Sequence, residues 1–117
     1  YAHDPATARL TPSGIGKAPA GAGPRHMKFH SNGRWIYLLN ELDLSVSVFD
    51  YDAQTGAMSL RQTIPTVAKS ELAKEQFTSA AEICVHPSGK FIYASNRGHD
   101  TVTAFSVDES NGELTTI

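Results

Sequence analysis

The chain has 117 residues, of which 40% are hydrophobic and 19% are charged, and its formal net charge is −2. A length of this order favours one domain, and the lack of a basic surplus argues against a nucleic-acid partner. No uninterrupted apolar run is long enough to span a membrane, and no signal peptide is visible ahead of the first predicted element.

The predicted elements recur along the chain. Residues 30–37 (HSNGRWIY) return 56 positions later as residues 86–93 (HPSGKFIY), and the match continues without a gap to residues 58 and 114. Residues 1–4 align in turn with residues 49–52, which predicts a truncated third copy at the N-terminus. Repeats with a period of about 40–50 residues are typical of propellers and solenoids.

Each full copy predicts four short strands joined by tight turns. Ser45 and Ser47 alternate with Val46 and Val48, which indicates a strand with one buried face. Four antiparallel strands per repeat form the blade of a β-propeller, so the predicted fold is all-β. The strands are predicted at residues 25–29, 34–40, 45–51 and 57–64 of the first copy, and at residues 82–85, 90–96, 101–107 and from 113 onward in the second.

Two segments depart from this pattern. Residues 11–23 are rich in Gly, Pro and Ala and predict an irregular connection, whereas residues 68–79 have a helix-forming composition and predict a short helix or helical turn. The predicted organisation within one propeller domain is the end of a preceding blade with its connecting loop (1–20), a complete blade (21–67), an inter-blade loop (68–79) and the next blade (80–117).

The repeat count also predicts that blades are missing. About two and a quarter blades, out of an expected seven, cannot close a ring of four to eight. We therefore expect the chain to be a piece of a protein roughly three times longer, with the remaining blades as its partners.

The single cysteine, Cys84, excludes an internal disulfide framework and favours a reducing compartment, so we expect a cytoplasmic protein. Cys84 lies within a predicted strand whose side chains alternate between two faces. We expect it to point inward as a small core residue.

The two copies differ most where the first strand begins and the second strand ends. These ends share one rim of a blade, and the first strand of a propeller blade lines the central channel. At equivalent positions the first copy has Glu41 and the second has Arg97, while Arg25 and His26 precede Met27. Arginine binds carboxylate or phosphate bidentately and holds a nearby glutamate ionised, so this rim predicts a site for an anion.

Structural roles compete with this interpretation. Glu41 and Arg97 are equally well explained as a plain salt bridge between blades, and His26 as a core histidine with satisfied hydrogen bonds. Asn40 and Asn96 recur in both copies and therefore fit packing roles. His30 and His86 occupy the same turn in both copies and are interpreted as structural.

The differing residues lie in motifs that resemble a known family. Residues 21–30 (GAGPRHMKFH), 37–42 (YLLNEL), 80–83 (AAEI) and 86–100 (HPSGKFIYASNRGHD) are similar to the signature of the lactonase-type seven-bladed propellers. That family holds the propeller-type 6-phosphogluconolactonases and the fungal carboxymuconate-lactonizing enzymes. The resemblance implies active-site roles for Arg25, Glu41 and Arg97, together with a histidine from an earlier blade, upstream of Tyr1.

The resemblance also implies a reaction, the hydrolysis of an anionic sugar lactone, above all 6-phosphogluconolactone to 6-phosphogluconate in the pentose phosphate pathway. Arg25 and Arg97 are expected to bind the anionic group and stabilise charge on the lactone oxygens, and Glu41 to manage the water and the proton. His26, Asn40 and Asn96 are expected to bind substrate. No metal or cofactor is expected, and the piece alone is expected to be inactive.

Two alternatives remain open. One is the reverse type of chemistry, cyclisation of a carboxymuconate, because that substrate is also anionic and suits the same arginines. The other is a binding module that kept the fold and lost the chemistry, since fold alone does not settle function.

Overall fold

The computed structural model describes residues 1–72 and 77–117 and confirms an all-β protein. Most predicted strands start within a residue of their observed position, and the largest difference is β7, which begins at Ser79. In chain order the elements are β1 (Ala2–Asp4), β2 (Arg9–Thr11), β3 (Pro24–Phe29), β4 (Trp35–Asn40), β5 (Ser45–Tyr51), β6 (Met58–Pro65), α1 (Lys69–Leu72), β7 (Ser79–Val85), β8 (Phe91–Arg97), β9 (Thr101–Val107) and β10 (Leu114–Thr116).

The strands form two four-stranded antiparallel sheets and a separate hairpin. Strands β3, β4, β5 and β6 follow one another in the first sheet, and β7, β8, β9 and β10 do so in the second. Each sheet is one propeller blade, hereafter the first and the second blade. Among the described residues, strands β1 and β2 pair only with each other, at the place where the sequence predicts the end of a preceding blade.

The core lies between the two blades. Strands β4 and β5 of the first blade contribute Trp35, Tyr37, Leu39, Val46 and Val48. The four strands of the second blade contribute Ala80, Ile83, Ile92, Ala94, Phe105, Val107 and Leu114. Strand β3 lies beside β7, so the first strands of the two blades are neighbours. This packing brings the equivalent rims of both blades together.

The connection between the blades contains the short helix α1, in the segment where helical composition was predicted. Residues 73–76 of that prediction lie outside the described residues. The division of the chain at residues 20, 67 and 79 stays a prediction. Within residues 1–72 and 77–117, no helix is long and apolar enough to cross a membrane.

The prediction for Cys84 is wrong, because its side chain is exposed. The pairing of β7 with β8 shifts register between Ala80 and Ile83. Both of those residues are fully buried although they are three positions apart, so the alternation of faces is reset between them. Cys84 therefore falls on the open face of β7.

Candidate active site

A β-bulge at the start of the first strand of each blade positions the site. The register of β3 shifts between Pro24 and His26, and that of β7 shifts between Ala80 and Ile83, at equivalent places in the repeat. A bulge adds a residue to one strand and re-aims the side chains beside it. In β3 the extra residue is Arg25, so consecutive positions of the strand contribute side chains to the same rim.

Two arginines from different blades converge on one carboxylate. Arg25 Nη1 lies 3.1 Å from Glu41 Oε2, and Arg97 Nη2 lies 2.5 Å from Glu41 Oε1. Arg25 and Glu41 belong to the first blade and Arg97 ends β8 of the second. The three residues that the copy comparison singled out are therefore brought together, across the blade boundary. We call them the arginine–glutamate cluster.

Backbone groups of β7 hold the cluster in place. Arg25 Nε donates a hydrogen bond of 2.9 Å to the Ala81 carbonyl oxygen, and Arg97 Nη2 donates one of 3.2 Å to that of Ala80. The Ala80 amide in turn donates to the Glu41 carbonyl oxygen at 3.0 Å. The guanidinium groups are thus fixed by the strand between them as well as by the carboxylate.

The cluster keeps Glu41 ionised. Partial desolvation raises the pKa of Glu41, but hydrogen bonds and the positive charges of Arg25 and Arg97 together outweigh it and lower that pKa below 4.5. Both carboxylate oxygens already accept a hydrogen bond from an arginine. Glu41 is therefore a fixed negative charge that orients two cations.

The arginines retain donors for a ligand. A guanidinium group has five N–H donors, and contacts within residues 1–72 and 77–117 use two of them for Arg25 and two for Arg97. Both side chains are between one third and one half exposed. The cluster can therefore accept an anion at its open side while keeping its internal contacts. The salt bridge between Glu41 and Arg97 that the structural alternative predicts is also present.

A second charged group lies beside the cluster, between β3 and β7. His26 Nδ1 lies 3.0 Å from Glu82 Oε2, and Lys28 Nζ lies 3.5 Å from Glu82 Oε1. The Ile83 amide also donates to Glu82 Oε1, at 2.9 Å. These contacts place His26 next to Arg25 at the rim rather than in the core, since its side chain is 43% exposed.

The two predicted asparagines are buried within the blades. Asn40 Nδ2 donates to Ser45 Oγ and Ser47 Oγ at 2.8 and 2.9 Å, and Asn96 Nδ2 donates to two threonine hydroxyls of β9 at 3.3 and 3.1 Å. Asn96 Oδ1 accepts from Thr66 Oγ1 at 2.6 Å, whereas Asn40 Oδ1 has no partner among the described residues. These contacts support packing roles, and substrate binding by either asparagine stays a prediction.

Sequence reasoning missed part of the site. It assigned no role to Glu82 or Lys28, nor to the carbonyl groups of Ala80 and Ala81 that bind the arginines. The available signal was the spacing of Ala80 and Ile83, which breaks the two-residue alternation of a regular strand. Among the described residues, no group of three or more His, Cys, Asp or Glu side chains is arranged to hold a metal ion.

Comparisons with known proteins place the whole chain in one family. The family model described as "Lactonase, 7-bladed beta-propeller" matches residues 1–117. The 6-phosphogluconolactonase of Pectobacterium carotovorum is 41% identical over 96 residues, covering 82% of this chain and 28% of that protein. The 6-phosphogluconolactonase of Bacillus subtilis is 33% identical over 105 residues, covering 90% of this chain and 29% of that protein.

A solved structure with the same fold is the periplasmic gluconolactonase of Pseudomonas aeruginosa, which is 31% identical with a TM-score of 0.73 and matches 85% of this chain and 26% of that one. The chain thus spans less than a third of the length of these relatives. Because the family model covers it from end to end, the chain belongs to the lactonase family of seven-bladed β-propellers.

Proposed function

We propose that the full-length protein containing this chain hydrolyses an anionic sugar lactone, 6-phosphogluconolactone, to the open acid. The observation that carries the proposal is the convergence of Arg25 and Arg97, from adjacent blades, on Glu41. The names of the Pectobacterium and Bacillus relatives support the same substrate.

The arginines supply the electrostatic part of the reaction. When water attacks the lactone carbonyl carbon, negative charge develops on the carbonyl oxygen, and fixed N–H donors lower the energy of that state. Arg25 and Arg97 hold their free donors in place through Ala81 and Ala80. The same donors bind the anionic group of the substrate, because guanidinium matches phosphate and carboxylate geometry.

Glu41 contributes to the reaction by positioning other groups. As an ionised carboxylate it fixes the separation of the two guanidinium groups, and it accepts a hydrogen bond from the attacking water with the lone pairs that the arginines leave free. A purely structural salt bridge would have the same contacts, so the role of Glu41 is decided by kinetics.

The competing substrate is an unphosphorylated lactone. The gluconolactonase of Pseudomonas aeruginosa supports it by its name and its fold. That protein is also described as periplasmic, so the cytoplasmic location expected from the single Cys84 stays a prediction. The assay therefore compares 6-phosphogluconolactone with gluconolactone.

The test is a lactonase assay of the full-length protein and its Arg97→Ala and Glu41→Gln variants. We expect turnover of 6-phosphogluconolactone and a loss of about 100-fold in kcat/KM for Arg97→Ala, the scale for removal of one charge-stabilising donor. Glu41→Gln is expected to lose about tenfold or more, since the arginines lose their fixed separation.

The matched control is Arg61→Ala. Arg61 also donates two hydrogen bonds to a carboxylate, that of Asp50, at 3.1 and 2.7 Å, but on β6 at the outer side of the first blade. Its loss is expected to leave kcat/KM unchanged. Full activity in both site variants contradicts the site assignment, and turnover of gluconolactone alone contradicts the phosphorylated substrate.

A further inference from the structure

Hydrolysis of a lactone needs a group that accepts a proton from water, and the contacts of Glu41 make it a poor acceptor. Each of its carboxylate oxygens accepts a hydrogen bond from an arginine, and its pKa is lowered. A base works best when its pKa lies near the operating pH. The proton must therefore go elsewhere in the site.

Among the described residues next to the arginine–glutamate cluster, His26 carries a group that can take it. It follows Arg25 on β3, and its ring contacts Glu82 across the blade boundary through Nδ1 at 3.0 Å. With Glu82 ionised, Nδ1 carries the hydrogen and donates it, so the lone pair lies on Nε2. No hydrogen-bond partner of Nε2 is found within the described parts of the chain, and the side chain is 43% exposed.

Glu82 is itself held firmly. Its Oε1 accepts from the Ile83 amide at 2.9 Å, its own amide donates to Ser95 Oγ at 3.1 Å, and Lys28 Nζ lies 3.5 Å away. The Ile83 hydrogen bond lowers the pKa of Glu82 most, and the hydrogen bond from His26 and the charge of Lys28 lower it further despite some desolvation. A carboxylate of this kind fixes the tautomer and orientation of an imidazole and stabilises the imidazolium when it forms.

We propose that His26 is the proton-transfer group of the site and that Glu82 is its positioning residue. The proposal deepens the lactonase function and rests on it. It is independent of the upstream histidine that the family resemblance implies, because both partners of this pair lie within the chain.

The step balances as an ordinary hydrolysis. As the water oxygen bonds to the lactone carbonyl carbon, one water proton passes to His26 Nε2 and the carbonyl π electrons move to oxygen, facing the arginines. When the carbonyl re-forms, the ring carbon–oxygen bond breaks and the departing oxygen takes that proton from His26. The net change is addition of one water, and the product acid releases its proton to solvent.

The test uses the full-length protein with 6-phosphogluconolactone and the variants His26→Ala, Glu82→Gln and the double variant. We expect His26→Ala to lower kcat about 100-fold with KM within about threefold, and exogenous imidazole to restore part of kcat. Glu82→Gln is expected to lower kcat about tenfold in the wild-type background and to have no further effect in His26→Ala, because it acts through the ring.

Two controls separate this role from a structural one. His3→Ala removes an exposed histidine of β1 and is expected to leave kcat unchanged. Arg97→Ala is expected to lose activity without rescue by imidazole, since no proton carrier is missing. Partial rescue confined to His26→Ala supports the proposal.

Other outcomes overturn it. If the wild type turns over lactone and His26→Ala keeps its kcat, or loses it without rescue, the proton carrier lies outside this chain and the proposal is wrong while the lactonase function stands. If the wild type turns over neither 6-phosphogluconolactone nor gluconolactone, the function fails and the proposal fails with it.

Discussion

At the scale of single residues, the chemistry of the rim follows from an excess of positive over negative charges in the arginine–glutamate cluster. Glu41 faces two guanidinium groups, so one positive charge is left over for a ligand. Exposed ion pairs in general contribute little to stability because water and salt screen them. This cluster differs in that backbone carbonyls of β7 fix both cations, so its main effect is to hold two like charges close together.

The charge state of Glu41 gives a prediction about stability and pH. Its pKa in the folded protein lies below 4.5, so its contribution is present above about pH 5 and is lost as the pH falls through the folded pKa. We expect the Tm of the full-length protein to exceed that of Glu41→Gln at pH 7. The difference closes as the pH is lowered below 4.5, because a protonated glutamate resembles glutamine.

The control for this titration is Glu109→Gln. Glu109 pairs with Lys90 at 3.1 Å but is 68% exposed, so its removal is expected to leave Tm unchanged at every pH. The measurement is thermal unfolding by circular dichroism from pH 7 to about pH 3. If the difference in Tm between the wild type and Glu41→Gln stays constant over this pH range, Glu41 does not stabilise the protein through its ionised form.

Among the residues of the candidate site, those that differ in charge between the two copies of the repeat could be predicted from the sequence. Comparison of copies identified Glu41 and Arg97, because a charge that changes sign between equivalent positions stands out. The alternation of side chains along β7 gave a wrong prediction for Cys84, and the comparison of copies gave Glu82 no role. Both depend on the bulge in β7, which resets the alternation of faces between Ala80 and Ile83 through the backbone pairing with β8.

At the scale of elements, the blades are joined at both ends of the shared core. At the turn between β3 and β4, His30 Nε2 donates to the Gly89 carbonyl oxygen of the second blade at 2.9 Å. Its Nδ1 accepts from the Asn32 amide, and its ring packs on Trp35 with the centroids 5.0 Å apart. These contacts agree with the structural interpretation of the repeated histidine, and they lie at the opposite end of β3 from Arg25.

This contact predicts an energetic coupling between the blades. Gly89 has a φ of +74°, and a Cβ there would lie 2.7 Å from His30 Nε2. Gly89→Ala is therefore expected to cost about 2–3 kcal/mol, of which about 1–2 comes from the left-handed backbone and about 1 from the lost hydrogen bond. In a His30→Ala background only the backbone cost remains.

The measurement is a double-mutant cycle on the full-length protein by urea unfolding. A coupling energy of about 1 kcal/mol between the two positions is the expected result. Equal costs of Gly89→Ala in both backgrounds would show that the turn carries backbone strain alone and that His30 does not link the blades.

At the scale of the whole molecule, equivalent positions show which surfaces another blade covers. Val46 is fully buried between the two blades, whereas its counterpart Val102 is 66% exposed. On the first strands of the blades the exposed residue belongs to the first blade instead: Met27 is 51% exposed, whereas its counterpart Ile83 is fully buried. In both pairs, the buried residue is the one that faces a blade present in this chain. Because the family is a seven-bladed ring, we expect the exposed members of both pairs to be interfaces with further blades.

Lysine substitutions test this expectation in the full-length protein. Val46→Lys buries a charge in the core seen here and is expected to cost about 2–3 kcal/mol in the free energy of unfolding. Val102→Lys is expected to cost as much, although its side chain is exposed in this chain, because a following blade covers it. Thr115→Lys, on the outermost strand β10, serves as the exposed control, because its counterpart Ser59 stays exposed in the first blade although a blade follows it. This variant is expected to stay within about 0.5 kcal/mol of wild type. If Val102→Lys lowers the free energy of unfolding no more than Thr115→Lys does, no further blade covers Val102 and the expected interface is wrong.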